Sequence, residues 1–235
     1  MADKETQEIK ERVAQAIRII VNEGLIEWSG HLSARIPGTR HFCVLGHLHE
    51  EGRSLEETTA EDIVTVDLDG KLVEGGHEPP GEVSIHTELY KARSDISSVL
   101  HTHAPAATAL GVSGAALLPL NISYGLMFAD GVPVFPSACQ INTPEVGQEL
   151  AKVLGNKNAA LMKGHGTVSV GTSIEHCCSV SLFLEKAARF QLMATQFGEP
   201  QPISAVDLAR YAGRKWDSEE SRQRFWAFYG GRLPK

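Results

Sequence analysis

Apolar positions first fall at helical spacing. Ile9, Val13, Ile17, Ile20 and Val21 line one side of a helical period, which predicts a helix over residues 7–23 closed by Gly24. The period then shortens. Ser29 through Pro37 reads as a turn entering a strand, and Phe42 to Leu45 as a second short strand. Residues 46–60 are a polar loop rich in glycine and glutamate. Ile63 to Leu68, then Asp69-Gly70 and Lys71 to Val73, form a hairpin pattern.

Pro79-Pro80-Gly81 precedes a predicted helix with Glu82 in its first turn and Ile85 and Leu89 on its apolar side. Ser97 to His101 reads as a strand, Ala104 to Leu110 as a short helix and Val132 to Phe135 as a strand. Thr143 caps a helix running through Leu154. Ala159 to Met162 is a strand, with Thr167 to Val170 continuing it beyond Lys163-Gly164-His165-Gly166. A long helix follows from Ile174 to Phe197, closed by Gly198 and Pro200. Hairpins and helices are intermixed without strict strand–helix alternation. The expected fold is α/β: a mixed or largely antiparallel sheet flanked by helices in three layers. No repeat or linker divides the chain, so residues 1–235 are expected to form a single domain with residues 201–235 as a C-terminal extension.

Composition narrows the function classes. The 235 residues are 42% hydrophobic and 22% charged, as in ordinary globular domains. A net charge of −7 without any Lys/Arg run argues against a nucleic-acid partner or an anionic membrane surface. Ala104 to Ala129 carries no charge, but Pro105, Pro119, Gly111, Gly114 and Gly125 interrupt it, so it reads as buried core and not as a membrane span. The N-terminus lacks the apolar stretch of a secretory signal. Cys43, Cys139, Cys177 and Cys178 show neither CxxC nor framework spacing, and are expected as buried thiols in a reducing cytoplasm.

Chemistry gathers on three histidines. In His101-Thr102-His103, strand alternation turns both imidazoles to one face, an arrangement suited to zinc, manganese, iron or cobalt. His165 lies between Gly164 and Gly166, residues that permit close backbone approach and unusual dihedrals. As a third imidazole it completes a set that leaves an open coordination position. Glu82 is a further carboxylate, read either as a helix-opening residue or as ligand or proton carrier. His86, four residues on, is read as core or as support to the site.

The segment from Pro80-Gly81-Glu82 through His86 and Tyr90 to Val99-Leu100-His101-Thr102-His103 resembles the class II aldolase/adducin family. Leu161 to Gly166 is similar to that family's third histidine motif, and Gly30-His31-Leu32-Ser33 sits where it has an early glycine-asparagine segment. The resemblance covers about residues 8 to 200 in order. It implies a three-layer α/β/α sandwich and a homotetramer with active sites near subunit interfaces. It also implies a divalent metal on His101, His103 and His165, with no organic cofactor needed, and a glutamate at Glu82 that serves metal binding and proton transfer. Tyr124 falls near a family tyrosine that reaches a neighbouring subunit's active site.

Two departures redirect the reading. The asparagine that holds sugar phosphate in the aldolases is His31 here, and the serine pair before the glutamate is Pro80-Gly81. The remaining pattern resembles the branch that decarboxylates ortho-hydroxy aromatic or heteroaromatic dicarboxylates, such as dihydroxyphthalate or a hydroxypyridine dicarboxylate, or hydroxy-carboxymuconic semialdehydes. In that reading the partner is a small carboxylate, met by His31, Ser33 and Arg35 through charge-assisted hydrogen bonds. Glu82, His31 or Tyr124 supplies the catalytic groups. The alternatives are a retro-aldolase, epimerase or dehydratase on a sugar or sugar acid, an adducin-like interaction module, and a metal-dependent oxygenase. Phe225, Trp226, Phe228 and Tyr229 either cover a neighbour's site or pack on their own subunit, and His41, His47, His49 and His77 receive no role.

Overall fold

The computed structural model describes residues 2–48, 53–211, 213 and 218–234; part of the polar loop, with His49, lies outside the described residues. The first helical period is α1, Ala2–Asn22. It ends near Gly24, whose φ of +75° suits a residue without a side chain. β1, His31–Arg35, and β2, His41–Leu45, form an antiparallel pair, and β3, Ile63–Asp67, and β4, Leu72–Glu74, extend it. α2, Val83–Ala92, precedes β5, Ser98–Thr102, and α3, Pro105–Ser113. β6 is Val134–Phe135, α4 is Pro144–Leu154, capped by Thr143, β7 is Ala159–Met162 and β8 is Gly166–Gly171. The chain closes with α5, Ile174–Thr195, α6, Ala205–Ala209, and α7, Glu219–Gly230.

The eight strands form one sheet in the order β4-β3-β2-β1-β5-β8-β7-β6. Every pairing is antiparallel except β6 with β7, so the expected mixed, largely antiparallel α/β architecture is what forms. One expectation is corrected. Thr167 to Val170 does not continue Ala159 to Met162; the chain reverses at residues 163–165 and β8 returns antiparallel to β7. Gly164 makes the reversal with φ +68°, a left-handed conformation that costs a side-chain-bearing residue about 1 kcal/mol or more. β6 is shorter than the Val132 to Phe135 pattern implied, because Pro133 has no N–H for the ladder and contributes only its carbonyl, to Leu161 N–H at 2.9 Å.

Strand parity sorts the core onto two faces. Leu32, Cys43, Leu45, Leu100 and Leu161 pack in one cluster with α1, α3, α5 and α7. Phe42, Val44, Val99, Met162 and Val168 pack in the other with α2 and α4. Each fully buried aliphatic side chain contributes about 1.5–3 kcal/mol relative to exposure. The uncharged stretch after Ala104 is α3 and its following loop, with Ala107 and Leu110 buried in the first cluster. Among the described residues no helix is long and apolar enough to cross a membrane. Phe225 and Tyr229 of α7 join the same cluster on their own chain, while Phe228 stays 58% exposed. Cys43, Cys177 and Cys178 are buried thiols, but Cys139 is exposed in the loop before α4, contrary to expectation.

Candidate metal centre

Four segments converge at one end of the sheet on its α2/α4 face. Val99 lies in that face's cluster and Leu100 in the other, so alternation turns His101 to the α2 side. His103 follows just beyond β5. β1 runs antiparallel to β5 and begins at His31, directly opposite His101. The β7–β8 turn carries His165, and Glu82 occupies the N-cap of α2.

The two glycines around His165 have distinct jobs. Gly164 supplies the left-handed turn. At Gly166 a Cβ would come within 2.3 Å of the Thr102 carbonyl and 2.9 Å of His103 Cδ2, so only glycine lets the turn lie against the His101–His103 pair.

The three imidazoles point their Nε2 edges inward and their Nδ1 edges outward. His101 Nδ1 donates to the Thr167 carbonyl at 2.9 Å and His165 Nδ1 to the Cys139 carbonyl at 3.0 Å. A carbonyl only accepts, so both rings carry their proton on Nδ1 and present an Nε2 lone pair to the centre. His103 Nδ1 pairs with Ser29 Oγ at 3.1 Å, and its Nε2 is 3.1 Å from that of His101. Glu82 is anchored through Oε1, which accepts the Ile141 N–H at 2.7 Å. Its Oε2 lies 3.7 Å from His101 Nε2 and 3.4 Å from His165 Nε2. His101, His103 and His165 therefore form a group able to hold a metal ion, and His31, Glu82 and His101 form a second, overlapping group. Inward lone pairs with outward hydrogen bonds are the arrangement of a ligand shell, and imidazole with carboxylate suits zinc, manganese, cobalt or iron.

Burial and mutual charge set the titration. Burial, partly offset by Glu82, pushes His101 down to about 3. Burial would raise Glu82, but its contacts with the His165 and His101 imidazoles outweigh it and hold the carboxyl at about 2. Burial and His165 lower His103, whereas the Glu82 carboxylate overcomes burial to raise His165. Neutral imidazoles and an ionised carboxylate are the forms that bind a cation.

Of the remaining sequence candidates, His31 lines the cavity beside the histidines, a space of about 280 Å³. Ser33 is fully buried beneath it, with Oγ 2.6 Å from His86 Nδ1 and 2.7 Å from Tyr90 Oη. Arg35 is not brought to the site. Its guanidinium donates to the carbonyls of Ile96, Tyr90 and Arg93 and stacks 4.3 Å over the Tyr90 ring. Tyr124 is not part of this lining either; it packs on Phe183 of α5 and lines a separate depression with Lys186. Sequence reasoning missed Ser29, Trp28, Gln140 and His47, all in the cavity lining. It left His86 between two readings, although its spacing from Glu82 on one helix side was a usable signal. Trp28 and Gln140 lie in loops whose course no local pattern reveals.

The profile of the Class II Aldolase and Adducin N-terminal domain matches residues 11–192. The chain is similar to a 3,4-dihydroxyphthalate decarboxylase from Arthrobacter keyseri, with 32% identity over 199 residues that cover 80% of this chain and 79% of the relative. Its fold is similar to an aldolase II superfamily protein from Pseudomonas syringae, with a TM-score of 0.86 and 25% identity over 97% of this chain and 93% of that one. It is also similar to L-fuculose 1-phosphate aldolase from Glaciozyma antarctica PI12, with a TM-score of 0.81 and 25% identity over 100% of this chain and 95% of that one.

Proposed function

The chain belongs to the class II aldolase and adducin N-terminal domain family, and on that premise we propose that it is a divalent-metal-dependent lyase that decarboxylates an ortho-hydroxy aromatic or heteroaromatic dicarboxylate. The observation that carries this reading is the cavity wall. Among the described residues its lining contains no lysine or arginine, and Trp28, Leu45, Leu48, Leu55 and Pro80 contribute an apolar part to it. A flat ring fits against such a wall. A sugar phosphate, with hydroxyls all round, presents no apolar face to such a wall, whereas an aromatic dicarboxylate keeps its charges at one edge, toward His31 and the histidine set. The similarity to the decarboxylase supports the same class of substrate.

In this reading His101, His103, His165 and Glu82 hold the metal, which when bound acts as a Lewis acid on the substrate's oxygens. Glu82, ionised at neutral pH, takes the proton of the substrate's ring hydroxyl through Oε2. Glu82 passes that proton to the carboxylate-bearing ring carbon. The carboxylate then leaves as CO2, its bonding pair restores the aromatic ring as a phenolate, and one proton from solvent regenerates the hydroxyl, so atoms and charge balance. His31 binds the substrate's anionic edge, and the apolar wall keeps water from the ring carbon. A catalytic part for Tyr124 requires a second copy of the chain, as in the proposed homotetramer. Exposed Phe190 and Met193, which line that depression, support such an interface.

The likeness to L-fuculose 1-phosphate aldolase favours a second reading, aldehyde release from a sugar phosphate on the same centre. Calorimetry on the zinc-loaded protein separates the two. Phthalate is expected to bind and L-fuculose 1-phosphate to give no measurable heat; the reverse order overturns the decarboxylase reading.

A further inference from the structure

Behind the cavity a chain of polar groups begins at His31 and runs away from the His101–His103–His165 set. His31 Nδ1 is 2.6 Å from His86 Nε2, His86 Nδ1 is 2.6 Å from Ser33 Oγ, and Ser33 Oγ is 2.7 Å from Tyr90 Oη. All four residues are buried. We infer that Tyr90, Ser33 and His86 form a positioning chain that fixes which nitrogen of His31 carries the proton, so that a neutral His31 presents Nε2–H to the cavity as a donor to an anionic ligand. The inference rests on the proposed function for the identity of that ligand, and on geometry for the rest.

Each of the three contacts holds one proton, so the chain has two self-consistent directions. In one, Tyr90 O–H donates to Ser33, Ser33 O–H to His86 Nδ1, and His86 Nε2–H to His31 Nδ1, leaving the His31 proton on Nε2. In the other every donor is reversed, the His31 proton sits on Nδ1, and Tyr90 must find an acceptor outside the chain.

Both ends favour the first direction. At the inner end the available acceptor is the Ser97 carbonyl, 3.5 Å from Tyr90 Oη and already taken by the Arg35 N–H at 2.8 Å. Ser33 Oγ, at 2.7 Å, is the better acceptor. At the outer end a ring nitrogen of His31 lies within 4.8 Å of a Glu82 carboxylate oxygen and a His101 nitrogen. His31 Nδ1 is occupied by His86, so Nε2 is left to face the carboxylate and the cavity. A carboxylate oxygen and an anionic ligand are both acceptors, so an N–H there finds a partner that a lone pair would not. A single proton between the two facing ring nitrogens fits their short contact of 2.6 Å. The chain thus makes His31 a fixed donor dipole and not a mobile cation beside the metal.

The test uses the full-length, zinc-loaded protein with nitrogen-15 in its histidines. Long-range ring correlations report the tautomer of each imidazole, and His31→Gln identifies the His31 signals by their loss. The expected wild-type result is His31 protonated on Nε2 alone. Ser33→Ala removes the donor to His86 and is expected to move His31 to a mixture of tautomers, with phthalate binding weakened about tenfold. His86→Phe keeps a ring stacked on Phe42 and removes both nitrogens between Ser33 and His31, so it tests the same point if Ser33→Ala does not fold. His31 protonated on Nδ1 or on both nitrogens in the wild type overturns the inference, as does an unchanged tautomer in a folded Ser33→Ala or His86→Phe. Because the tautomer is read without turnover, a protein that shows Nε2–H yet releases no CO2 overturns the proposed reaction and supports the chain.

Discussion

His31 stands opposite His101 across the β1–β5 pair, and their ring centroids lie 5.2 Å apart. The two rings nevertheless serve different networks. His101 turns to His103, His165 and Glu82, while His31 turns back to His86 under α2. One register position thus joins the candidate metal centre to the buried polar chain behind it.

The ligand assignment has a direct consequence for affinity. His103→Ala removes one of the inward nitrogens and is expected to weaken zinc binding at least about a hundredfold, whereas Ser29→Ala, which removes only the outer partner of His103, costs about tenfold. Competition with a chelating dye measures both. Unchanged zinc affinity in His103→Ala would remove it from the ligand set.

The glycines around His165 are expected to respond differently. Gly166→Ala forces a methyl against the Thr102 carbonyl and the His103 ring, and should cost about 1–3 kcal/mol of stability together with zinc affinity. Gly164→Ala meets only Ala138 Cβ, at an ordinary 3.6 Å, but must hold a φ of +68°, so it should cost about 1–2 kcal/mol and leave zinc affinity nearly intact. Urea unfolding with parallel zinc titration checks the pair; equal zinc affinity in both variants contradicts the close-approach argument.

Much of this arrangement was legible in the sequence, for physical reasons. The helical period of α1 and the alternation of β5 survive in any fold that buries them on one side, and the glycines around His165 signal a backbone demand that a simple strand would not make. What alternation cannot report is depth along a strand. His31, Ser33 and Arg35 share a face, but only His31 lies at the site end. Ser33 lies two residues deeper, and Arg35 roughly 13 Å from His31 along the strand, where it binds carbonyls around α2. Parity placed all three together; the long-range register of β1 on β5 separates them. The reversal after Met162 was hidden similarly, since two short apolar runs around a glycine pair read alike as one strand or two.

The pH dependence of the metal-free protein follows from burial. Burial holds His101 and His86 at about 3 in the folded chain, below the ordinary imidazole value of about 6.5. The unfolded chain binds their protons first, so their stabilisation is complete above about pH 6.5 and is lost as pH falls towards 3. Glu82, lowered to about 2, adds a loss below about 4.5, where its unfolded form protonates. His165 is raised, so its contribution is present below 6.5 and is lost as pH rises through its folded value. Thermal melts are expected to fall in Tm from pH 6.5 to 4, and His86→Leu to show a shallower fall, by on the order of a few kcal/mol. An equally steep fall in His86→Leu contradicts the buried neutral imidazole.

Trp28 forms part of the apolar wall while 71% exposed, so its side chain is expected to be covered by the substrate's ring. Trp28→Ala should weaken phthalate binding about tenfold with little change in Tm. Equal phthalate affinity with and without the indole would move the ring-binding wall elsewhere.

The most direct measurement is CO2 release from carboxyl-labelled 3,4-dihydroxyphthalate and from a 3-hydroxypyridine-4,5-dicarboxylate. Zinc-, manganese-, cobalt- and iron-loaded protein would be compared with chelator-treated protein, and aldehyde release from L-fuculose 1-phosphate followed in parallel. CO2 from an aromatic acid that requires metal and disappears in His103→Ala is the expected result. Aldehyde from the sugar phosphate, with no CO2 from either acid under any metal, would contradict the account and place the chain with the aldehyde-lyases.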